Sequence, residues 1–178
     1  MADVVSSTES TVASFIGLFL SIPPAASKYM ATIFNTSSTR KVVIQRITVM
    51  RDGIAAVTGV LLSQSLVFIT AESHTTTFIL DPEDTKDAIS PGIVISTGNT
   101  AVTAIRTIIP FVVSSEEPTT AFTNLQLGSH GIGRVIYERM PNSRGLTLRQ
   151  NEGVAIQNIT SSTVGAFHYL FEITDEPA

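Results

Sequence analysis

In FHYLFEIT, residues 167 to 174, Phe167, Tyr169, Phe171 and Ile173 fall on one side of an extended chain, and His168 and Glu172 fall on the other. A period of two suits a strand with one buried face and cannot place an apolar stripe on a helix. The same alternation runs through residues 60 to 68, where Val60, Leu62, Gln64, Leu66 and Phe68 oppose Leu61, Ser63, Ser65 and Val67. Val, Ile and Thr recur throughout, and Ser with Thr makes up about a quarter of the chain. β-Branched side chains fit a pleated surface and crowd a helix, so the expected class is all-β.

Turn residues divide the rest of the chain into further strands. The apolar run Phe15 to Ile22 reads as a buried strand; Tyr29 to Phe34 and Val42 to Met50 read as a hairpin joined by Asn35 to Thr39. Further strands are expected at 76–80, 92–97, 103–113, around Leu125, at 134–140, 146–149 and 154–158, and from Gly165 to Thr174. About eight to ten strands at this spacing suit a sandwich or barrel. In LTLRQNEGVAIQN the cluster Asn151, Glu152 and Gly153 reads as a hairpin turn, with Gly153 free to take positive φ. One helix start stands out. Asp81 as cap, Pro82 at the first helical position and acidic Glu83 and Asp84 predict a turn or two of helix near residues 82 to 89. Residues 1 to 13 are small and polar and read as a flexible arm; residues 14 to 178 are expected to form one domain.

Composition narrows the function classes. Only 15% of residues are charged against about 25% in an ordinary soluble domain, while 43% are hydrophobic, a balance expected where much of the surface faces other protein. A net charge of −4 without a basic patch in sequence argues against nucleic acid as a partner. Zero cysteines exclude disulfides, thiolate metal sites and a cysteine nucleophile. The run at 15–22 is too short to span a bilayer and lacks the basic flank of a signal peptide, so no membrane partner is expected. Asn35 and Asn158 match the glycosylation sequon and are read as chance matches in a Thr-rich chain. Eight of the eleven basic residues are Arg, which suits interfaces through its planar fork, although composition bias explains the excess as well.

Candidate chemistry is sparse, and no catalytic, cofactor-binding or metal-ligating residue is assigned. His74, His130 and His168 are isolated in sequence, without the pair spacing of a zinc site. No GxSxG elbow is present. GSHGIGR, Gly128 to Arg134, leads into a strand and so reads as a turn, not a phosphate cradle. Asp81, Glu83, Asp84 and Asp87 lack the spacing of a calcium loop, and Glu116 and Glu117 sit in an exposed loop. Arg149 and Glu152 read as solvated or subunit-contacting turn residues.

Two stretches carry a family resemblance: SRGLTLRQNEGVAIQNITSSTVGAFHYLFEITDE, Ser143 to Glu176, and YMATIFNTSSTRKVVIQRITV, Tyr29 to Val49. They resemble the jelly-roll proteins that decorate or cement the capsids of tailed bacteriophages. The resemblance implies an antiparallel jelly-roll sandwich, a homo-oligomer, most often a trimer, that binds the major capsid protein on the virion exterior and stabilises the head without cofactor or catalysis. Its expected contact regions are the arm Met1 to Ala13 and the loop Ser114 to Thr120. The alternatives are a carbohydrate- or receptor-binding jelly roll of a phage fibre, a small jelly-roll capsid subunit, and a cupin-type metal enzyme, the last requiring paired histidines on one strand that the sequence lacks.

Overall fold

The structure is a computed structural model that describes residues 12–25, 28–51, 61–73, 76–88, 90–97, 101–114 and 133–178. Its strands are β1 (Ala13–Ile22), β2 (Tyr29–Asn35), β3 (Arg40–Arg51), β4 (Leu61–Ser73), β5 (Thr76–Phe78), β6 (Leu80–Pro82), β7 (Ile93–Thr97), β8 (Ala101–Ser114), β9 (Arg134–Glu138), β10 (Leu146–Leu148), β11 (Glu152–Asn158) and β12 (Phe167–Pro177). One sheet, here sheet A, runs β10-β3-β12-β1-β6, with β9 also on β3; sheet B runs β5-β7-β2-β11-β4-β8. Every strand pairing in both sheets is antiparallel.

Four of these pairings are nested in sequence: β1 with β12, β2 with β11, β3 with β9 and β10, and β4 with β8. The first and third pairs lie in sheet A and the second and fourth in sheet B, so the chain is one long antiparallel ribbon rolled into two facing layers. That is the jelly roll. β9 and β10 share β3, taking Arg46–Val49 and Val42–Ile44 respectively, and so act as one interrupted strand. β5, β6 and β7, between β4 and β8, extend the far edge of each sheet.

The alternation in the sequence decides which side chains enter the core. In β12 Phe167, Tyr169, Phe171 and Ile173 are buried, and His168, Leu170 and Glu172 are half-exposed on the outer face. They meet Phe15 and Phe19 from β1, Ile44 and Ile47 from β3, and across the interlayer Ile33, Leu62, Leu66, Val154 and Ile156. Gln64 of β4, buried on the same face, pairs with the Tyr169 hydroxyl at 3.1 Å, one polar bond linking the two layers. Burial pushes the Tyr169 phenol well above its ordinary value, opposed in part by the bond to Gln64.

A second, smaller cluster lies on the outer face of sheet B, where Phe34, Val67, Ile69 and Ala155 are buried and Tyr29 and Val102 pack against them. The β4–β8 ribbon has register shifts between Leu66 and Ala71. Bulges bend and twist a ribbon. Its end reaches back over the sheet, where Ser96 Oγ of β7 donates to Glu72 Oε2 at 3.1 Å.

Three expectations are corrected. The helix near residues 82 to 89 is absent from the described residues. Leu80–Pro82 is instead a strand on β1, and Glu83 N donates to Ser14 O at 3.0 Å, so sheet pairing takes the residues that would have opened the helix. A single turn follows, in which Asp84 Oδ1 accepts from Lys86 N and Asp84 O from Asp87 N; a helix this short gains too few hydrogen bonds to compete. Residue 89 lies outside the described residues.

The hairpins expected at Asn35 to Thr39 and at Asn151 to Gly153 are sheet-to-sheet crossings, because β2 and β11 belong to sheet B and β3 and β10 to sheet A. Finally, the positive φ in the second crossing belongs to Asn151, at 60°, and not to Gly153. Gly153 is needed for space, since a Cβ there would lie 2.5 Å from Ile33 O and 2.6 Å from Phe34 Cδ2. Twelve strands are described, more than the eight to ten expected. The arm up to residue 11, the strand around Leu125 and the loop after Ser114 lie outside the described residues, and Ala13 is already in β1.

Candidate binding surfaces

One surface feature is a cationic cleft of about 240 Å³ at the β10 edge of sheet A, lined by Lys41, Val43, Arg139, Arg144, Thr147, Arg149 and Glu176. Lys41 and Val43 come from the outer face of β3. Thr147 stands opposite Val43, and Glu176 opposite Lys41. Arg139 and Arg144 come from the β9–β10 connection, held where Arg139 N donates to Gln45 O at 2.8 Å and Leu146 N to the Tyr137 hydroxyl at 2.7 Å. Four of the chain's eleven cationic side chains thus gather in one cleft.

Little in the cleft neutralises that charge. Lys41 Nζ lies 3.6 Å from Glu176. Arg139 Nε donates to Ser143 O at 2.9 Å, which orients the guanidinium but adds no negative charge. Glu152 accepts from the Arg149 backbone N–H at 2.8 Å, so this carboxylate closes the crossing between the sheets. Among the described residues the Arg144 and Arg149 side chains have no ion-pair partner. Planar forks with open donors suit a carboxylate or phosphate oxygen.

Two other arginines, both in β3, are paired inside the chain. Arg46 donates through Nε and one terminal nitrogen to Glu172 Oε1 at 2.8 and 2.6 Å, and this hydrogen bond, with the attraction of the carboxylate, raises its already high pKa. Arg40 Nε meets Asp175 Oδ1 at 2.7 Å, and Asp175 is 1% exposed. Next to them the Asn35 amide donates to Arg40 O and Leu148 O, and its Oδ1 accepts from Ser37 N, fastening both crossings at this end.

Two apolar features are also open. A row across the outer face of sheet A runs Leu18, Leu170, Thr48, Val135, with Leu18 37% and Val135 46% exposed. Strand β8, fourteen residues at the edge of sheet B, carries one charge, Arg106, which lies over the Phe68 ring, and exposes Ile105 and Val112. A smaller cleft of about 140 Å³ at the other end is lined by Val49, Met50, Arg51, Val113, Ser114, Arg134 and Phe167, with Arg134 bound to Val112 O.

The candidates named from sequence fall as follows. Arg149 enters the cationic cleft, and Glu152 serves the backbone beside it. Asp81, Glu83 and Asp84 are exposed and Asp87 half-exposed, at the opposite edge of sheet A. Asn35 and Asn158 are fully buried, the latter donating to Ala25 O and Ser162 O, so the folded chain presents neither sequon. His168 sits on the outer face opposite Met50; His74, His130, Glu116, Glu117 and residues 128–132 lie outside the described residues. Among the described residues no three His, Asp or Glu are grouped to hold a metal ion, and no helix is long and apolar enough to cross a membrane.

Sequence reading missed the cleft as a unit. Its partial signal was the spacing of Arg139, Arg144 and Arg149 at five-residue intervals through a Pro- and Gly-containing segment. Lys41 is about a hundred positions away and joins only through β3–β10 pairing. Comparison with models of known protein families, with curated proteins and with solved structures found no match.

Proposed function

We propose that this chain is a structural assembly protein of a virion, one that decorates or cements a bacteriophage capsid by binding its major shell protein. The observation that carries the reading is the β8 edge: fourteen residues of strand with one charged side chain, on a jelly roll. Free proteins protect such edges with charge, proline, bulges, short length or cover, because unpaired backbone groups invite another chain. β8 has Pro110 and register shifts against β4, and its length and near lack of charge are what leave it open to docking. A shell component uses the same groups for docking. The apolar row on sheet A and the charge-poor composition support the same reading, as does the jelly-roll resemblance of residues 29–49 and 143–176.

Particles made with the gene for this chain deleted test the proposal. The expected result is shells that form but open at lower temperature, with purified protein restoring the higher opening temperature when added back. Shells of unchanged heat resistance that take up no added protein would overturn it.

A further inference from the structure

The cationic cleft and the acidic turn after β6 stand at the two ends of one sheet, and they stand at the same level. Thr147 of β10 is opposite Val43 of β3, Val43 opposite Thr174 of β12, and Thr174 opposite Ser14 of β1, whose carbonyl accepts from Glu83 N at 3.0 Å. This row crosses five strands, so cleft and turn are separated by about 19 Å along the hydrogen-bonding direction.

Their charges match in number and oppose in sign. The cleft holds four cations and one carboxylate, Glu176, leaving three positive charges. The turn holds Asp81, Glu83, Asp84 and Asp87 with one cation, Lys86, leaving three negative charges. Asp81, Glu83 and Asp84 are exposed, and Ile79 beside them is 83% exposed, giving the acidic edge an apolar knob. Val43 and the stems of the arginines give the cleft an apolar floor.

The geometry points to head-to-tail self-association: the acidic turn of one copy docks in the cationic cleft of the next. Cleft and turn are different patches, so the contact is heterologous, and copies added through it close into a ring if the sheet twist brings the last onto the first. A nucleic acid or other polyanion competes for the same cleft; a net charge of −4 repels a polyanion and a second copy alike at long range, and what favours the second copy is an acidic turn that matches the cleft in charge. The proposal goes beyond the capsid reading and stands or falls separately from it.

Complementary charge reversals test it in the full chain. Arg144→Glu with Arg149→Glu reverses the cleft, and Asp81→Lys with Glu83→Lys reverses the turn; circular dichroism verifies that each variant keeps its fold. Sedimentation velocity is expected to show an oligomer for the parent chain that dissociates as sodium chloride rises from about 0.05 to about 0.5 M. Each variant alone is expected to self-associate at least about tenfold more weakly. Mixed, the two variants are expected to associate again in alternation, since the unaltered turn meets the unaltered cleft and the reversed turn meets the reversed cleft. The chain carrying all four reversals is expected to associate again. A parent that stays monomeric, an oligomer indifferent to the reversals, or a mixture that does not associate would overturn the proposal. So would an unaltered oligomer accompanied by cleft-dependent binding of a single-stranded oligonucleotide, which assigns the cleft to polyanions instead.

Discussion

Gly153 and Tyr169 show how single positions constrain this fold. Gly153 lies under Phe34 and against the Ile33 carbonyl, where a Cβ has no room and the obstacle is backbone. Gly153→Ala is expected to cost about 2 kcal/mol or more, read as a lower urea midpoint with unchanged slope. Tyr169 is buried with its hydroxyl on Gln64. Its raised pKa means that the folded phenol stays protonated where the unfolded one ionises, so its contribution to stability is complete below pH ~10 and is lost as pH rises above that. Unfolding free energy is therefore expected to fall steadily as pH rises above about 10. Tyr169→Phe is expected to flatten that fall while costing about 1–3 kcal/mol at neutral pH, because the Gln64 amide loses its partner. Arginine use is also explained in part: Arg40 and Arg46 pair with carboxylates, Arg134 and Arg139 with carbonyls, and Arg106 with a ring. Arg144 and Arg149 line the cleft without an ion-pair partner among the described residues.

At the scale of elements, strands were readable because side-chain alternation is local: β12 follows it residue by residue, and β4 follows it from Leu61 to Gln64 before both of its faces are buried through Val67. Pairing was not readable in the same way. A turn rich in Asn and Gly fits either a hairpin or a crossing between layers, and the choice depends on whether the flanking strands find better partners elsewhere. Val154 finds Ile33 and Phe68 in sheet B while Thr147 finds Val43 in sheet A, so the stretch between them crosses. The helix failed for a related reason: the edge of β1 offered Pro82 and Glu83 a sheet partner that no local signal announces. Asn35 fastens both crossings, and Asn35→Ala is expected to cost about 1–3 kcal/mol and to speed amide exchange at residues 36–39 and 149–151 together. Glu72→Ala should free the end of the β4–β8 ribbon from β7, with faster exchange confined to residues 70–73 and 101–104 and almost no change in global stability.

The whole molecule is a rolled ribbon whose outer strands, β8 and β10, leave two kinds of surface: a long charge-poor edge and a cationic cleft facing an acidic turn across the same sheet. Both suit contact with other protein chains, and the capsid proposal rests on that. The cleft was legible only as scattered arginines, since its formation needs partners far apart in sequence; the composition, with 15% charge, gives the expectation of a surface facing other protein on which the capsid proposal draws. The most direct test is the amount of this polypeptide in virus particles banded on a density gradient from the culture that makes it. The account predicts that it bands with the major shell protein in a fixed molar ratio, unchanged on rebanding. Finding it only in the soluble fractions at the top of the gradient would contradict the account.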